Sequence, residues 1–386
     1  MQAIQKFSII IFVFINLFIS SCSSVQGFIN SSTSNDESTK INKLKFAVAG
    51  DIMVHSTQLE KAYNKQCNCW DFNPSFSKVK KYIKNADIAI ANLETTLPED
   101  PKNFSGYPQF GTPDSILDSL KNAGFSILTT SNNHCLDKGK ETLRRTISEI
   151  NKRGMLSTGT FVSLEDKINK RFITLEKNGI KIALLSYTYS TNGIPIPKGI
   201  KVNLIDSEEI ANDIQYAKNS NVDSIIVYYH FGKEYERFPD KSQRDLVDFT
   251  FNEGVDVVLG GHPHVLQPFE LKTIKDKYGI TKKRLVIFSL GNFISCQSWR
   301  YSNGGIIFYY SISKKNKDTT IGEIEFEPVF VHRDIKPNKY EFHLLPVREY
   351  LDSNDFSYLN QNSKKQMVEF YNDTVEHLHK NSYVEE

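Results

Sequence analysis

The stretch 242–264, SQRDLVDFTFNEGVDVVLGGHPH, contains one complete unit of the pattern that decides the fold. Its first half has apolar residues at helical spacing and stops at a glycine, which predicts a helix. The apolar, β-branched run that follows predicts a buried strand, and His262 and His264 come directly after it. Residues two apart in a strand share a face, so a continued strand would point both rings the same way. A metal, an anion or plain solvation would each explain such a pair.

The same alternation extends on both sides of this stretch. Further strands are predicted in 43–54, 87–97, 126–134, 181–190, 223–232 and 284–295. Further helices are predicted over 74–86, 113–125 and 139–154. Strands separated by helices indicate an α/β fold with largely parallel pairing and right-handed crossovers.

Beyond residue 300 the pattern changes to strands without intervening helices. Residues 304–315, 321–332 and 340–347 should pair antiparallel, and 363–380 should form a terminal helix. No linker-like composition separates this part from the rest. We therefore predict one domain, in which residues 44–300 form the main body and residues 301–386 add a β-rich completion and the terminal helix.

The N-terminus indicates export. Residues 1–22 contain one lysine, an unbroken apolar run and small residues up to Cys22, which is typical of a lipoprotein signal peptide whose cysteine becomes the lipid anchor. A plain signal peptide cut near the same place is the alternative. Residues 23–43 are rich in Ser, Asn and Thr and predict a flexible linker between membrane and domain.

Charge and cysteine content narrow the function classes. The chain has 47 basic and 45 acidic residues, dispersed and with a formal net charge of +2, which gives no electrostatic footprint for nucleic acid. The remaining cysteines are Cys67, Cys69, Cys135 and Cys296. Export makes a disulfide possible, but a Cys67–Cys69 bridge would close a strained loop, so we expect free thiols.

Polar residues gather where the predicted strands end. They are Asp51, Glu94, Asn132, Asn133, His134, His230, His262, His264 and Asn292. Each of them, taken alone, is also explained by a structural role in a turn or as a helix cap. Ligands of open α/β sheets sit outside the carboxyl ends of the strands, so together these residues predict one cleft.

The residue types in this set point to metal binding. Carboxylate, amide oxygen and imidazole are ligands of divalent Mn, Zn or Fe. Two such ions about 4 Å apart would activate water and stabilise a tetrahedral phosphate transition state. We expect one or two ions.

Six motifs then follow one another in the order seen in a known family. They are AGDIMVH (49–55), ANLETTL (91–97), SNNHCLDKG (131–139), YYHFGKEY (228–235), GGHPHVLQPFE (260–270) and FSLGNF (288–293). Residues 44–300 therefore resemble the capsule synthesis family of CapA-type, or polyglutamate-capsule PgsA-type, proteins, which is similar in turn to the calcineurin-like metallophosphoesterases. The resemblance implies a metallophosphatase-like α/β/β/α sandwich with two mixed sheets.

The resemblance also implies roles for individual residues. Glu94 takes the place of the bridging aspartate. The other implied ligands are Asp51 and His264 on one ion and Asn133, His230 and His262 on the second. His134 would donate a proton to the leaving group, and Asp137, three residues later, would orient its imidazole. The candidate supporting or substrate-contacting residues are Glu234, Asn132 and Asn292.

Two positions depart from the phosphoesterase pattern. Met53 stands where the first motif has a histidine, and His55 lies two residues further on as a potential substitute. Glu94 is longer than the aspartate it replaces. Both departures are typical of the capsule family and both weaken the first metal site.

Three functions are compatible with these features. The first is an exported, lipid-anchored protein that acts outside the cell membrane in synthesis or export of an anionic polymer such as poly-γ-glutamate, alongside membrane subunits of a capsule synthase. Its site would hydrolyse a phosphoester or an amide bond. The alternatives are an exported metallophosphoesterase or nucleotidase unrelated to capsule, and a non-catalytic subunit that binds polymer through metal. We expect core packing for Tyr235 and Trp299, with substrate stacking as the alternative.

Overall fold

The predicted alternation of strands and helices is present in the computed structural model of the chain, which describes residues 41–336, 339–354 and 359–385. The strands are β1 (Asn42–Ile52), β2 (Tyr63–Asn64), β3 (Cys69–Trp70), β4 (Ile88–Leu93), β5 (Ile127–Thr129), β6 (Leu156–Thr158), β7 (Thr160–Phe161), β8 (Ile173–Lys177), β9 (Ile180–Thr188), β10 (Lys201–Val202), β11 (Ser224–His230), β12 (Val257–Gly261), β13 (Leu266–Lys275), β14 (Thr281–Leu290), β15 (Asn292–Ile294), β16 (Gly304–Lys315), β17 (Asp318–Lys336), β18 (Lys339–Pro346) and β19 (Tyr383–Val384). The helices are α1 (Ser56–Ala62), α2 (Asn73–Phe76), α3 (Lys80–Lys84), α4 (Ser115–Ala123), α5 (Gly139–Lys152), α6 (Leu164–Asn169), α7 (Ser207–Asn219), α8 (Lys241–Asn252), α9 (Val347–Ser353) and α10 (Gln361–Asn381), with a short 3₁₀ helix at Pro101–Asn103.

Two mixed sheets contain most of the strands. The first has the order β18-β17-β16-β1-β4-β5-β6, with β15 also paired to β1. In this sheet β1, β4, β5 and β6 run parallel, and β16, β17 and β18 pair antiparallel, as predicted for the residues beyond 300. The second has the order β19-β13-β14-β12-β11-β9-β8, and its four central strands are parallel.

Alternation along β1 explains how the layers pack. Phe46 and Val48 face the second sheet and share a core with its apolar side chains. Ala47 and Ala49 point to the opposite face, which packs against helices α1 to α4. Helices α7 and α8 cover the outer face of the second sheet. The result is the predicted α/β/β/α sandwich, and its described residues form a single compact unit.

The structure differs from three local predictions. The single helix predicted over 74–86 is wrong, because α2 and α3 are separate short helices. The expectation of free thiols is wrong for Cys67 and Cys69, which form a disulfide across the β2–β3 hairpin; Cys135 and Cys296 are free. Strand β1 includes Asn42 and Lys43, the last two residues assigned to the linker.

The signal peptide over 1–22, the anchor residue Cys22 and the linker up to residue 40 lie outside the described residues. Within the part of the chain that the structure describes, no helix has the length and apolar character needed to cross a membrane.

Candidate metal centre and its cleft

The predicted site residues meet at the carboxyl ends of the parallel strands of both sheets. Those that are buried are Asp51, Glu94, Asn132, Asn133, His134, Asp137, His230, His262, His264 and Asn292. Glu234 is exposed and lies in the wall of the adjoining cleft. The structure therefore brings the whole predicted set to one place, between the ends of the two sheets.

The two histidines after β12 are positioned by an unusual backbone. The strand ends at Gly261, and both His262 and His264 have positive φ, 96° and 58°. The strand does not continue through them, so strand geometry is not what brings the two rings together. Residues other than glycine rarely adopt this backbone conformation, and such strain is found at functional sites. In this conformation the centroids of the two rings are 5.9 Å apart.

Gly261 is required by close packing under these rings. A Cβ atom there would lie 2.7 Å from Oδ1 of Asp51, inside van der Waals contact. The absent side chain lets the end of β12 approach the end of β1. The backbone N–H of His262 can then donate to Oδ2 of Asp51 at 3.1 Å.

Glu94 lies at the middle of the site. Its side chain is fully buried, and neither carboxylate oxygen has a hydrogen-bond partner among the described residues. Two groups of potential ligands share it, Glu94 with His262 and His264, and Glu94 with Asp51 and His230; within each group the ligand atoms lie within 4.8 Å of one another. A carboxylate common to two ligand groups has the position of a bridging ligand.

Other distances connect the two groups. Nδ1 of His264 is 3.3 Å from Oδ2 of Asp51, as in the pairing that the resemblance implies for one ion. Nε2 of His230 is 2.7 Å from Oδ1 of Asn133 and 3.4 Å from Oε1 of Glu94. The six implied ligands thus form one continuous cluster.

Sequence reasoning missed Asn92, which connects the cluster. Its Nδ2 donates to Oδ1 of Asp51 at 2.8 Å and lies 3.3 Å from Nδ1 of His230. Its Oδ1 accepts from Asn132 Nδ2 at 3.1 Å and Thr129 Oγ1 at 3.3 Å. The signal was present, since Asn92 precedes Glu94 by two residues at the end of one strand.

Burial and neighbouring charges shift the pKa values of the cluster in opposite directions. Burial and the charge of Asp51 raise the pKa of Glu94 to about 8. Burial alone would lower the pKa of His264, but the charge of Glu94 and the bond to Asp51 raise it to about 9. Burial lowers the pKa of His230 to about 3 and that of His262 to about 2, which keeps both rings neutral, as metal ligands must be. His264 would have to release its proton on binding a metal ion.

His134 is held by two neighbours. Its Nδ1 donates to Oδ2 of Asp137 at 2.7 Å, and its backbone N–H donates to Oδ1 of Asn132 at 3.1 Å. Burial works against protonation, but the hydrogen bond and charge of Asp137 raise the pKa of His134 above its ordinary value. Asn292 instead supports the neighbouring loop, with Nδ2 donating to Gln297 and Ser302.

Met53 and His55 have their own positions beside the site. Met53 is buried and lines the cleft, where it offers no oxygen or nitrogen. Nδ1 of His55 accepts the backbone N–H of Cys296 at 3.2 Å, and the ring packs edge-on against Phe110. That nitrogen already has a donor, so His55 does not replace the missing first-motif histidine through it.

A cleft of about 420 Å³ opens beside this cluster. It is lined by Met53, His55, Ser56, Thr57, Tyr107, Phe110, His134, Glu234, Tyr235, His264, Cys296, Gln297 and Trp299. The expectation of core packing is wrong for Tyr235 and Trp299, which are 43% and 50% exposed within its walls. The cleft gives a ligand access to His134 and His264.

The donor set fits a divalent ion. It consists of carboxylates, an amide oxygen and imidazoles, and it contains a buried carboxylate that has no hydrogen-bond partner among the described residues. Residues 45–297, about two thirds of the chain, match the family described as bacterial capsule synthesis protein PGA_cap. The chain belongs to this capsule synthesis family.

Two proteins named CapA are similar to this chain. The chain is 28% identical over 293 residues to the PGA biosynthesis protein CapA of Bacillus subtilis, covering 75% of this chain and 72% of that protein. It is 27% identical over 281 residues to the capsule biosynthesis protein CapA of Bacillus anthracis, covering 70% of this chain. The match spans 64% of the length of the Bacillus anthracis protein.

A solved structure shares the fold of this capsule synthesis family member. The NAD nucleotidase of Haemophilus influenzae superposes with a TM-score of 0.50 and 14% identity, covering 90% of this chain and 64% of that one. The predicted metallophosphatase-like fold is confirmed.

Proposed function

We propose that this capsule synthesis family member is exported, anchored at the membrane through Cys22, and acts in the synthesis or export of an anionic polymer of the poly-γ-glutamate type. It would work beside membrane subunits of a capsule synthase. The similarity to the two CapA proteins and the character of residues 1–22 support this proposal. One or two divalent ions, Mn, Zn or Fe, would occupy the cluster around Glu94.

The observation that carries the proposal is the buried carboxylate of Glu94, whose oxygens have no hydrogen-bond partner among the described residues and whose nearest polar neighbours are potential metal ligands. Burying a charged group without a partner is costly, and buried charges are normally paired or bound to metal. Asp51 and His230 on one side and His262 and His264 on the other complete ligand groups around it. A chain with no use for metal would gain stability by replacing this glutamate.

The chemistry expected at the site is hydrolysis of a phosphoester or amide bond. A bound divalent ion would polarise the substrate oxygen. His134, raised in pKa and oriented by Asp137, would supply a proton to the leaving group in the cleft. Both His134 and Asp137 are buried, as the proposed ligands are.

A non-catalytic polymer-binding subunit is the second candidate, and Met53 favours it. Met53 occupies the first-motif position where phosphoesterases have a histidine, and a thioether is a poor ligand for these ions. A site that holds metal with fewer ligands could bind carboxylates of a polymer without turning it over. An exported phosphoesterase or nucleotidase unrelated to capsule is the remaining alternative.

Complementation combined with metal analysis tests the leading proposal. A bacterium that makes surface poly-γ-glutamate and lacks its own CapA would receive the full chain as wild type, Glu94→Ala, the His262→Ala/His264→Ala pair, or the control His379→Ala, at an exposed histidine of α10 that does not line the cleft. Wild type and His379→Ala should restore surface polymer and purify with metal. Glu94→Ala and the histidine pair should do neither.

Other outcomes separate the alternatives. Wild-type protein that carries metal and cleaves phosphodiesters but restores no polymer would support the unrelated phosphoesterase. Restored polymer without turnover of any phosphoester or γ-glutamyl amide would support the binding subunit. Unchanged metal content in the histidine pair would overturn the proposed metal centre.

A further inference from the structure

The cleft beside the metal centre has aromatic walls with exposed rings. Tyr107, Tyr235 and Trp299 line it and are 74%, 43% and 50% exposed. Large exposed aromatic side chains gathered in one concave surface are typical of ligand sites. His264 lines the same cleft, and its ring lies 6.1 Å from that of Tyr235 between centroids.

Tyr235 is held in place despite an unfavourable backbone. It has a positive φ of 66°, and its N–H donates to the carbonyl of Pro263 at 2.8 Å. Its hydroxyl accepts from Nε2 of Gln297 at 3.3 Å, and its ring packs edge-to-face with Trp299 at 5.3 Å. Because Pro263 separates the two metal-site histidines, this strained tyrosine is tied directly to the metal centre.

The charge of the cleft is unusual for a protein that handles a polyanion. Among the described residues that line it, Glu234 carries the only carboxylate, and neither lysine nor arginine is present. Aromatic faces and a carboxylate attract an ammonium group and repel carboxylates. The cleft therefore suits a ligand with a cationic nitrogen, while the metal centre suits an oxygen donor on the same molecule.

The polymer of the proposed function has only one such unit. In γ-linked polyglutamate every interior nitrogen is acylated and every interior unit presents a free carboxylate. Only the amino-terminal unit has a free ammonium beside its carboxylate.

We propose, on the basis of that function, that the cleft binds the amino-terminal unit of the polymer. Its ammonium lies against Glu234 and the rings of Tyr235 and Trp299, and its carboxylate is directed to the metal centre. The protein then acts on one end of each chain, because interior units of the polymer have no ammonium group to place beside Glu234.

Binding of defined oligomers tests this proposal. Purified full-length protein in detergent, loaded with Mn²⁺, is titrated by calorimetry with a γ-linked glutamate decamer that has a free amino terminus, and with the same decamer N-acetylated. Wild type should bind the free form at least about tenfold more tightly, because acetylation removes a charge-assisted contact. Glu234→Gln should reduce this preference to about twofold or less.

Matched control variants separate loss of the proposed ammonium contact from effects that any surface substitution would have. Trp299→Ala should weaken binding of the free decamer by about tenfold, whereas Tyr216→Ala, at an exposed tyrosine of α7 outside the cleft, should leave binding unchanged. Glu236→Gln changes a neighbouring exposed carboxylate that does not line the cleft and should keep the full preference. Metal content and thermal melting verify that each variant is folded.

Three results would overturn the proposal. Equal, metal-dependent binding of both decamers excludes recognition of the amino end but leaves the proposed function standing. Binding of a neutral N-acetylglucosamine tetramer that needs Trp299 and not Glu234 assigns the cleft to glycans. Binding of neither decamer excludes this site for the polymer, and the proposed function then depends on the complementation result alone.

Discussion

Nδ1 of His134 lies 2.7 Å from Oδ2 of Asp137, and the same carboxylate oxygen accepts the backbone N–H of Phe110 at 2.7 Å. The second contact fixes the carboxylate, which in turn fixes the imidazole. With Nδ1 engaged, Nε2 is the ring atom that can transfer a proton in the cleft that His134 lines. This arrangement fits the proposed role of His134 as an oriented general acid.

Replacing His134 tests this role. If the site hydrolyses phosphodiesters, His134→Ala should retain metal and lower the rate by about 10²–10⁴-fold, because it removes a proton donor and no ligand. Asn133→Ala, one residue earlier, should instead lower metal content. Elemental analysis and thermal melting accompany the kinetics. A His134→Ala protein with wild-type metal, melting and rate would remove this residue from the mechanism.

Asp137→Asn gives a pH-dependent version of the same test. The hydrogen bond and charge of Asp137 raise the pKa of His134, which keeps the acid protonated at higher pH. Without that charge, the pKa of His134 should fall, and the alkaline limb of the pH–rate profile should move to lower pH. A profile that keeps its alkaline limb in place would assign that limb to another group.

Glu94→Gln should stabilise the metal-free protein while abolishing metal binding. Burial and Asp51 raise the pKa of Glu94 from its ordinary value of 4.5 to about 8, so between these two pH values the folded state holds a proton that the unfolded state has released. Stability linked to this group is therefore present below pH 4.5 and is lost as pH rises toward 8. A glutamine side chain does not titrate, so the variant does not lose stability in this way. At pH 8 its free energy of unfolding should exceed that of wild type by roughly 1 to 3 kcal/mol.

Urea unfolding in the presence of a chelator, at pH 5 and pH 8, measures this difference. Glu236→Gln, at an exposed position, is the control and should show little change at either pH. With Mn²⁺ present, wild type should become more stable than Glu94→Gln, because only wild type is stabilised by bound metal. A Glu94→Gln protein that is less stable than wild type at pH 8 without metal would mean that the carboxylate has partners in solution.

Anchoring at Cys22 is tested independently of the site. Cells expressing wild type should incorporate labelled fatty acid into the protein and retain it in the membrane fraction. Cys22→Ala should lose the label and be released, while Cys296→Ser, at a cysteine inside the fold, should behave as wild type. Retention of the unlabelled Cys22→Ala protein, together with an unlabelled wild type, would exclude the lipoprotein assignment.

The fold and the gathering of polar residues could be predicted because both follow from periodic patterns. Alternating strands and helices placed Asp51, Glu94 and His230 at the ends of parallel strands, and sheet geometry brings those ends together. The backbone at His262 and His264 could not be predicted in this way. Positive φ at residues with side chains opposes local preference, so no periodic pattern in the sequence indicates it.

The exposed aromatic walls were missed for a related reason. Composition assigns tyrosine and tryptophan to the core on average, and only the three-dimensional course of the chain shows that Tyr235 and Trp299 border a cleft. The disulfide between Cys67 and Cys69 depended on the β2–β3 hairpin, which has two residues in each strand and no strong periodic signal.

Asn92 provides the last test, because the whole cluster depends on its four side-chain contacts. Asn92→Ala would leave Oδ1 of Asp51 without this donor and remove the acceptor used by Asn132 and Thr129, all of them buried. We expect a loss of about 2 to 4 kcal/mol in the free energy of unfolding, and reduced metal content because Asp51 is no longer oriented. Asn122→Ala removes an exposed asparagine with two side-chain hydrogen bonds and should cost about 1 kcal/mol or less. Urea unfolding and elemental analysis of both variants measure these changes. Equally small changes in stability and metal content for the two variants would show that Asn92 does not hold the ligands together.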